Sequence, residues 1–142
     1  MRKVILNKCY GGFDVSEKAY QLYAKKKGLE LYKYEYDFDG NYLNKKIKLK
    51  RTGKSRVFGQ VYLTKDFGER PELLGEDFDK YHLYLRDSYR EDPTLIEVVE
   101  ELGEEASGLC GNLVVVEIPD DLNYVIDEYD GIETLHERVE EW

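Results

Sequence analysis

Polar and apolar positions alternate most cleanly over residues 29–36. Leu29, Leu31, Lys33 and Glu35 take one side, and Glu30, Tyr32, Tyr34 and Tyr36 the other. A period of two is the signature of a strand, and three tyrosines on one side make a polar aromatic wall. Two unbroken apolar runs, Val4-Ile5-Leu6 within residues 3–8 and Val114-Val115-Val116 within residues 113–118, read as strands covered on both faces. Residues 80–85 alternate Tyr81, Leu83 and Leu85 against His82 and Tyr84, and residues 123–128 form a further extended segment. Residues 42–50 and 56–64 read as a lysine-rich hairpin turning at Thr52-Gly53-Lys54.

The helical period appears in three places. Val15, Ala19, Leu22 and Tyr23 share one face of a helix over residues 16–27, with Ser16 as N-cap, three lysines in the last turn and Gly28 beyond the end. Asp92-Pro93 opens a second helix running to about Ser107. Its stripe is Leu95, Val98, Val99, Leu102 and Ala106, and its outer face is Glu97, Glu100, Glu101, Glu104 and Glu105. After an Asp130-Gly131 turn, Leu135, Val139 and Trp142 predict a C-terminal helix over residues 132–142. Residues 65–79, with Gly68, Pro71 and Gly75, read as a loop and a candidate lid. Together these elements predict a single α+β domain over residues 1–142, a mixed β-sheet packed by two main helices and a C-terminal helix.

Charge narrows the partners. The chain of 142 residues carries a formal net charge of -9, against a general nucleic-acid binder, whose phosphate contacts need a basic surface. The charge is uneven: residues 1–56 hold 15 basic and 6 acidic residues, residues 57–142 hold 6 and 24. Such halves complement each other within the fold or across a homo-oligomer interface, or present faces of opposite sign. No apolar run approaches a membrane span, and the first residues lack a secretory pattern, so a cytoplasmic location is expected.

Catalytic chemistry is not visible. His82 and His136 stand in no nucleophile motif, Cys9 and Cys110 have no zinc spacing, and the acids near residues 120–130 read as solvated; no cofactor and no metal are expected. The stretch Asn7-Lys8-Cys9-Tyr10-Gly11-Gly12-Phe13, between a strand and a helix, is either a plain turn or an anion cradle. As a cradle it would use the amides of Gly11 and Gly12, assisted by Lys8. It is neither a phosphate-binding Walker loop nor a dinucleotide fingerprint. Arg86 and Arg90, in a polar loop, are candidate phosphate ligands or structural ion-pair partners, with Tyr10 and Phe13 available to stack on a base.

The Cys-Tyr-Gly-Gly-Phe opening, the Glu-Leu-Gly-Glu-Glu-Ala-Ser-Gly stretch (residues 101–108), the Glu-Ile-Pro-Asp-Asp stretch (117–121) and Glu-Tyr-Asp-Gly (128–131) resemble small accessory proteins encoded by bacteriophages and prophages. The resemblance covers both ends of the chain and not residues 30–80. It implies an accessory product acting in an infected bacterium, where small phage proteins often counter host defences by sequestering a nucleotide signal or plugging a defence protein. With the cradle residues, this leads to the expectation of a small anionic nucleotide signal held without turnover by a homo-oligomer. The alternative is an acidic inhibitor, in which Glu97, Glu100, Glu101 and Glu104 and the tail Glu137 to Trp142 occupy a nucleic-acid-binding surface of a host defence protein.

Overall fold

The computed structural model describes residues 1–10, 12–37, 46–53, 60–108 and 111–138. The chain gathers into two compact units, one from Met1–Lys27 with Leu85–Trp142, the other from Gly28–Tyr84. The fold is α+β.

In the first unit the two apolar runs become β1 (Arg2–Asn7) and β7 (Leu113–Ile118), paired antiparallel with Val4 opposite Val116 and Leu6 opposite Val114. The two-residue period sends Val4 and Leu6 to one face, where they meet Ile118 and the side chains of Leu122, Tyr124, Ile126 and Leu135. The last three belong to a hairpin of β8 (Tyr124–Tyr129) and β9 (Ile132–Glu137). The opposite face carries Lys3, which reaches Glu100 on a helix at 3.0 Å. That helix, labelled α3 in chain order, is Pro93–Leu102; it touches β1 and β7 and packs on α1 (Glu17–Lys27). Burying each of Val4, Ile5 and Leu6, at most 2% exposed, contributes roughly 1.5–3 kcal/mol. Ser16 and Asp92 cap the helices as their sequences predict: Ala19 N–H donates to Ser16 Oγ (3.1 Å) and Leu95 N–H to Asp92 Oδ2 (2.9 Å).

The second unit is a five-stranded antiparallel sheet of β2 (Tyr32–Tyr36), β3 (Ile47–Arg51), β4 (Gln60–Leu63), β5 (Glu72–Leu73) and β6 (His82–Leu83), in the order β5-β3-β2-β4-β6. Tyr34, Leu49, Val61, Leu63, Leu73 and Phe78 form its core, the last from α2 (Gly75–Tyr81).

Four expectations are corrected. Residues 132–137 are β9, not the start of a C-terminal helix, and residues 139–142 lie outside the described residues. Asp130 and Gly131 have φ of 52° and 95°, the paired left-handed conformation of a two-residue hairpin turn, and that turn returns the chain as a strand. Every ladder among the described residues is antiparallel, so the sheets are not mixed. Residues 65–79 are not plain loop, because they include β5 and most of α2, which leaves only His82–Leu83 of the strand expected over 80–85. The lysine-rich strands do not form a hairpin with each other. β2 lies between β3 and β4, where Tyr34 is buried completely and Glu35 meets Lys50 at 3.3 Å. Residues 38–45 and 54–59, holding the start of the first lysine-rich strand and Arg56, lie outside the described residues.

Candidate functional site

One edge of β1 is occupied by β7. Along the other, Ile5 and Asn7 would leave buried backbone groups without partners, and such groups cost free energy unless something bonds them. Arg90 closes the gap twice. Its backbone oxygen accepts from Ile5 N–H (2.8 Å), and its Nη1 donates to Ile5 O (3.0 Å). Glu133 of β9 completes the edge by accepting from Asn7 N–H (2.8 Å). Arg90 and Glu133 are joined through two bonds, Nη2 to Oε2 at 2.8 Å and Nη1 to Oε1 at 3.2 Å. The planar guanidinium fork matches a carboxylate in this way, which makes the pair both directional and strong. Their side chains are only 14% and 8% exposed.

Asn7 ties the same corner to two further segments. It is fully buried; its Nδ2 donates to Cys9 O (2.8 Å) and Gly131 O (2.6 Å), and its Oδ1 accepts from Asn112 N–H (2.8 Å). Lys8 adds a bond from Nζ to Glu133 O (2.8 Å). The end of β1, the segment before β7 and the β8–β9 turn are therefore fastened by one polar cluster.

Beside this cluster lies a cavity of about 380 Å³, within the size range of small-molecule sites. Gly12, Phe13 and Ile126 line it together with Arg90. Glu128, Gly131 and Glu133 contribute from the hairpin, and Asp87 from the short 3-10 turn Asp87–Tyr89. The Arg90 guanidinium stands 5.7 Å from the centre of the Phe13 ring. Gly12 has φ of 106°, a conformation that side chains resist, so glycine is what this turn requires. Glu128 and Glu133 are opposite each other across the hairpin, an arrangement that repels unless a cation intervenes. Arg90 is that cation for Glu133, while Glu128 Oε1 accepts from Gly131 N–H (2.5 Å).

The structure thus brings Gly12, Phe13 and Arg90 together, with Lys8 bonded to the same hairpin. Tyr10 is 61% exposed, Arg86 is exposed and does not line the cavity, and Gly11 lies outside the described residues. Of the two roles open to Arg90, the ion pair is the one it occupies. Asn7, Asp87, Ile126, Glu128, Gly131 and Glu133 were not expected at a site. For Ile126, Glu128, Gly131 and Glu133, the Asp-Gly dipeptide between two alternating segments is the signal that could have placed them, since it specifies a hairpin whose inward phase carries Ile126, Glu128, Glu133 and Leu135.

The acidic face of α3 and of the 3-10 turn Gly103–Ala106 after it does not stand alone. Lys3 meets Glu100 and Lys26 meets Glu101, each at 3.0 Å, and Lys18 meets Glu105 at 2.6 Å. At the start of β1, Arg2 Nε meets Glu91 Oε1 at 2.7 Å and lies 5.2 Å from the centre of the Tyr124 ring; Tyr124 donates its hydroxyl to Glu91 Oε2 (2.7 Å). Burial first, then that bond, raises the Tyr124 pKa. Among the described residues no group of three His, Cys, Asp or Glu side chains is placed to hold a metal, and no helix is long and apolar enough to cross a membrane. In comparisons with known proteins, no family model, no curated protein and no solved structure matches the chain.

Proposed function

We propose that the protein is a non-enzymatic binding protein that holds a small nucleotide-type ligand in the cavity beside the Arg90–Glu133 pair. The observation that carries this reading is the convergence of Gly12 and Phe13, from one short stretch, with Arg90, from a distant loop, on one cavity of about 380 Å³. Phe13 supplies a ring face for a base, and Gly12 admits close approach of the backbone. In the setting that the phage resemblance implies, such binding acts by withdrawing a defence signal from its receptor, and a homo-oligomer would hold several copies at once.

Native mass spectrometry of the protein isolated from a lysate of defence-activated bacteria tests this reading. A retained nucleotide mass, released unchanged on denaturation, is the expected result, together with a subunit number above one. Phe13→Ala is expected to lose at least tenfold in affinity for the released molecule. A ligand-free protein that also fails to bind added nucleotides would overturn the proposal.

The acidic-inhibitor reading draws on a different observation. The first unit carries 20 acidic residues against 10 basic ones. If this reading is right, neutralising Glu97, Glu100, Glu101 and Glu104 abolishes capture of a basic host protein, whereas Phe13→Ala spares it.

A further inference from the structure

The chemistry of the cavity specifies which part of a nucleotide it would read; this rests on the proposal above. Arg90 offers its guanidinium to Glu133 through two bonds and to Ile5 O through a third contact, so its charge is already matched inside the protein. The remaining charged groups of the lining are the carboxylates of Glu128 and Asp87, both on exposed residues. Lined in this way, the cavity disfavours a phosphate by like-charge repulsion and presents acceptors to hydrogen-bond donors. Phe13 lines the same cavity, with the Arg90 guanidinium 5.7 Å from the centre of its ring.

We infer that the cavity takes the base end of the ligand, a purine with adjacent imino and amino donors of the guanine type, stacked against Phe13 and read by the carboxylates of Glu128 and Asp87. The phosphates stay at the rim. A carboxylate accepts two parallel N–H bonds from the guanine edge formed by N1–H and the 2-amino group. Inosine offers one of these donors, and adenine offers only its 6-amino group. Glu128 is suited to the task because Gly131 N–H, bonded to Oε1, fixes the carboxylate; Oε2 then accepts one of the two bonds, and Oε1 accepts the other on its remaining lone pair.

Calorimetric titration with guanosine, inosine and adenosine 5′-monophosphates and with ribose 5-phosphate tests the inference. The expected order is guanosine, then inosine, then adenosine, with guanosine at least about fivefold tighter than adenosine, the lower end of what one bidentate base contact discriminates. Ribose 5-phosphate should give no measurable heat. Glu128→Gln keeps an oxygen for Gly131 N–H and should narrow the guanosine preference to within about threefold; Asp87→Asn, on an exposed 3-10 turn, should narrow it further in combination. Equal affinity for all three nucleotides and for ribose 5-phosphate would overturn the base-end assignment and leave nucleotide binding standing. A preference unchanged in Glu128→Gln would overturn the assignment of that residue. Failure of all four compounds to bind would remove the inference and the proposed function together.

Discussion

The two units satisfy their most buried polar side chains by different means. In the first unit a bidentate Arg90–Glu133 pair closes the edge of β1 beside a fully buried Asn7. The second uses a neutral hydroxyl. Tyr34, also fully buried, donates to Gly68 O (3.0 Å) and accepts from Phe67 N–H (3.1 Å) and from Arg51 Nη2 (3.3 Å). Arg51 in turn bonds Asp66 at 2.5 Å and lies over the rings of Tyr32 and Tyr34. The backbone amide of Gly68 first, then the Arg51 charge, holds the Asp66 carboxyl below its ordinary pKa. Charge composition follows the same division: 11 basic and 10 acidic residues in the second unit against the acidic surplus of the first. A tyrosine hydroxyl can serve several partners without the desolvation cost of an ion. A buried ion pair is tolerable only while both members and their remaining bonds are present.

The largest effect should come from breaking the charged arrangement. Glu133→Ala leaves Arg90 and Asn7 N–H without their acceptor and should cost about 3–5 kcal/mol in denaturant unfolding. Replacing a buried pair with apolar residues often restores stability, but here Arg90→Met with Glu133→Leu should remain at least about 2 kcal/mol below the parent. Both Ile5 O and Asn7 N–H still lose a partner. A double variant as stable as the parent would show that the pair does not serve the backbone. In the neutral unit, Tyr34→Phe should cost about 1–3 kcal/mol, because Phe67 N–H loses its acceptor. A loss equal to that of Glu133→Ala would erase the contrast.

Tyr23 extends the comparison to a tyrosine held among acids. Burial, then the charge of Asp92, pushes its pKa up to about 12 from 10.0. Because the folded value is the higher one, its contribution to stability is complete below pH 10 and is lost as pH rises from about 10 to 12. Tyr23→Phe should therefore flatten the decline in stability across that window, as followed by urea midpoints at fixed pH. The smallest change is expected at Lys18→Ala. The Lys18–Glu105 pair is 59% and 65% exposed, and its removal should shift stability by less than about 1 kcal/mol.

Sequence periodicity was informative where a segment's own face decides its structure. The apolar runs of β1 and β7, the alternation of β2 and the capped starts of α1 and α3 were legible for this reason. Residues 132–137 were misread because Leu135, Val139 and Trp142 fit a helical spacing, while the turn that makes the segment a strand is set by two backbone angles at Asp130 and Gly131. The cavity was half legible. Gly12 and Phe13 belong to one short stretch, but Glu133 meets Arg90 across 43 positions and Asn7 across 126. An arginine intended for an ion pair and one intended for a phosphate look alike until the distant acid is located.

The register of β1 and β7 also bears on the order of events during synthesis. Val4 pairs with Val116, so the first apolar run leaves the ribosome about 110 residues before its partner exists. At roughly 5–20 residues per second, that is an interval of several seconds or more. The whole of Gly28–Tyr84 emerges within it, and among the described residues its strands pair only with one another. The nascent chain therefore has a self-contained sheet to fold while Val4-Ile5-Leu6 remains uncovered, and this is the interval in which a chaperone has most to protect.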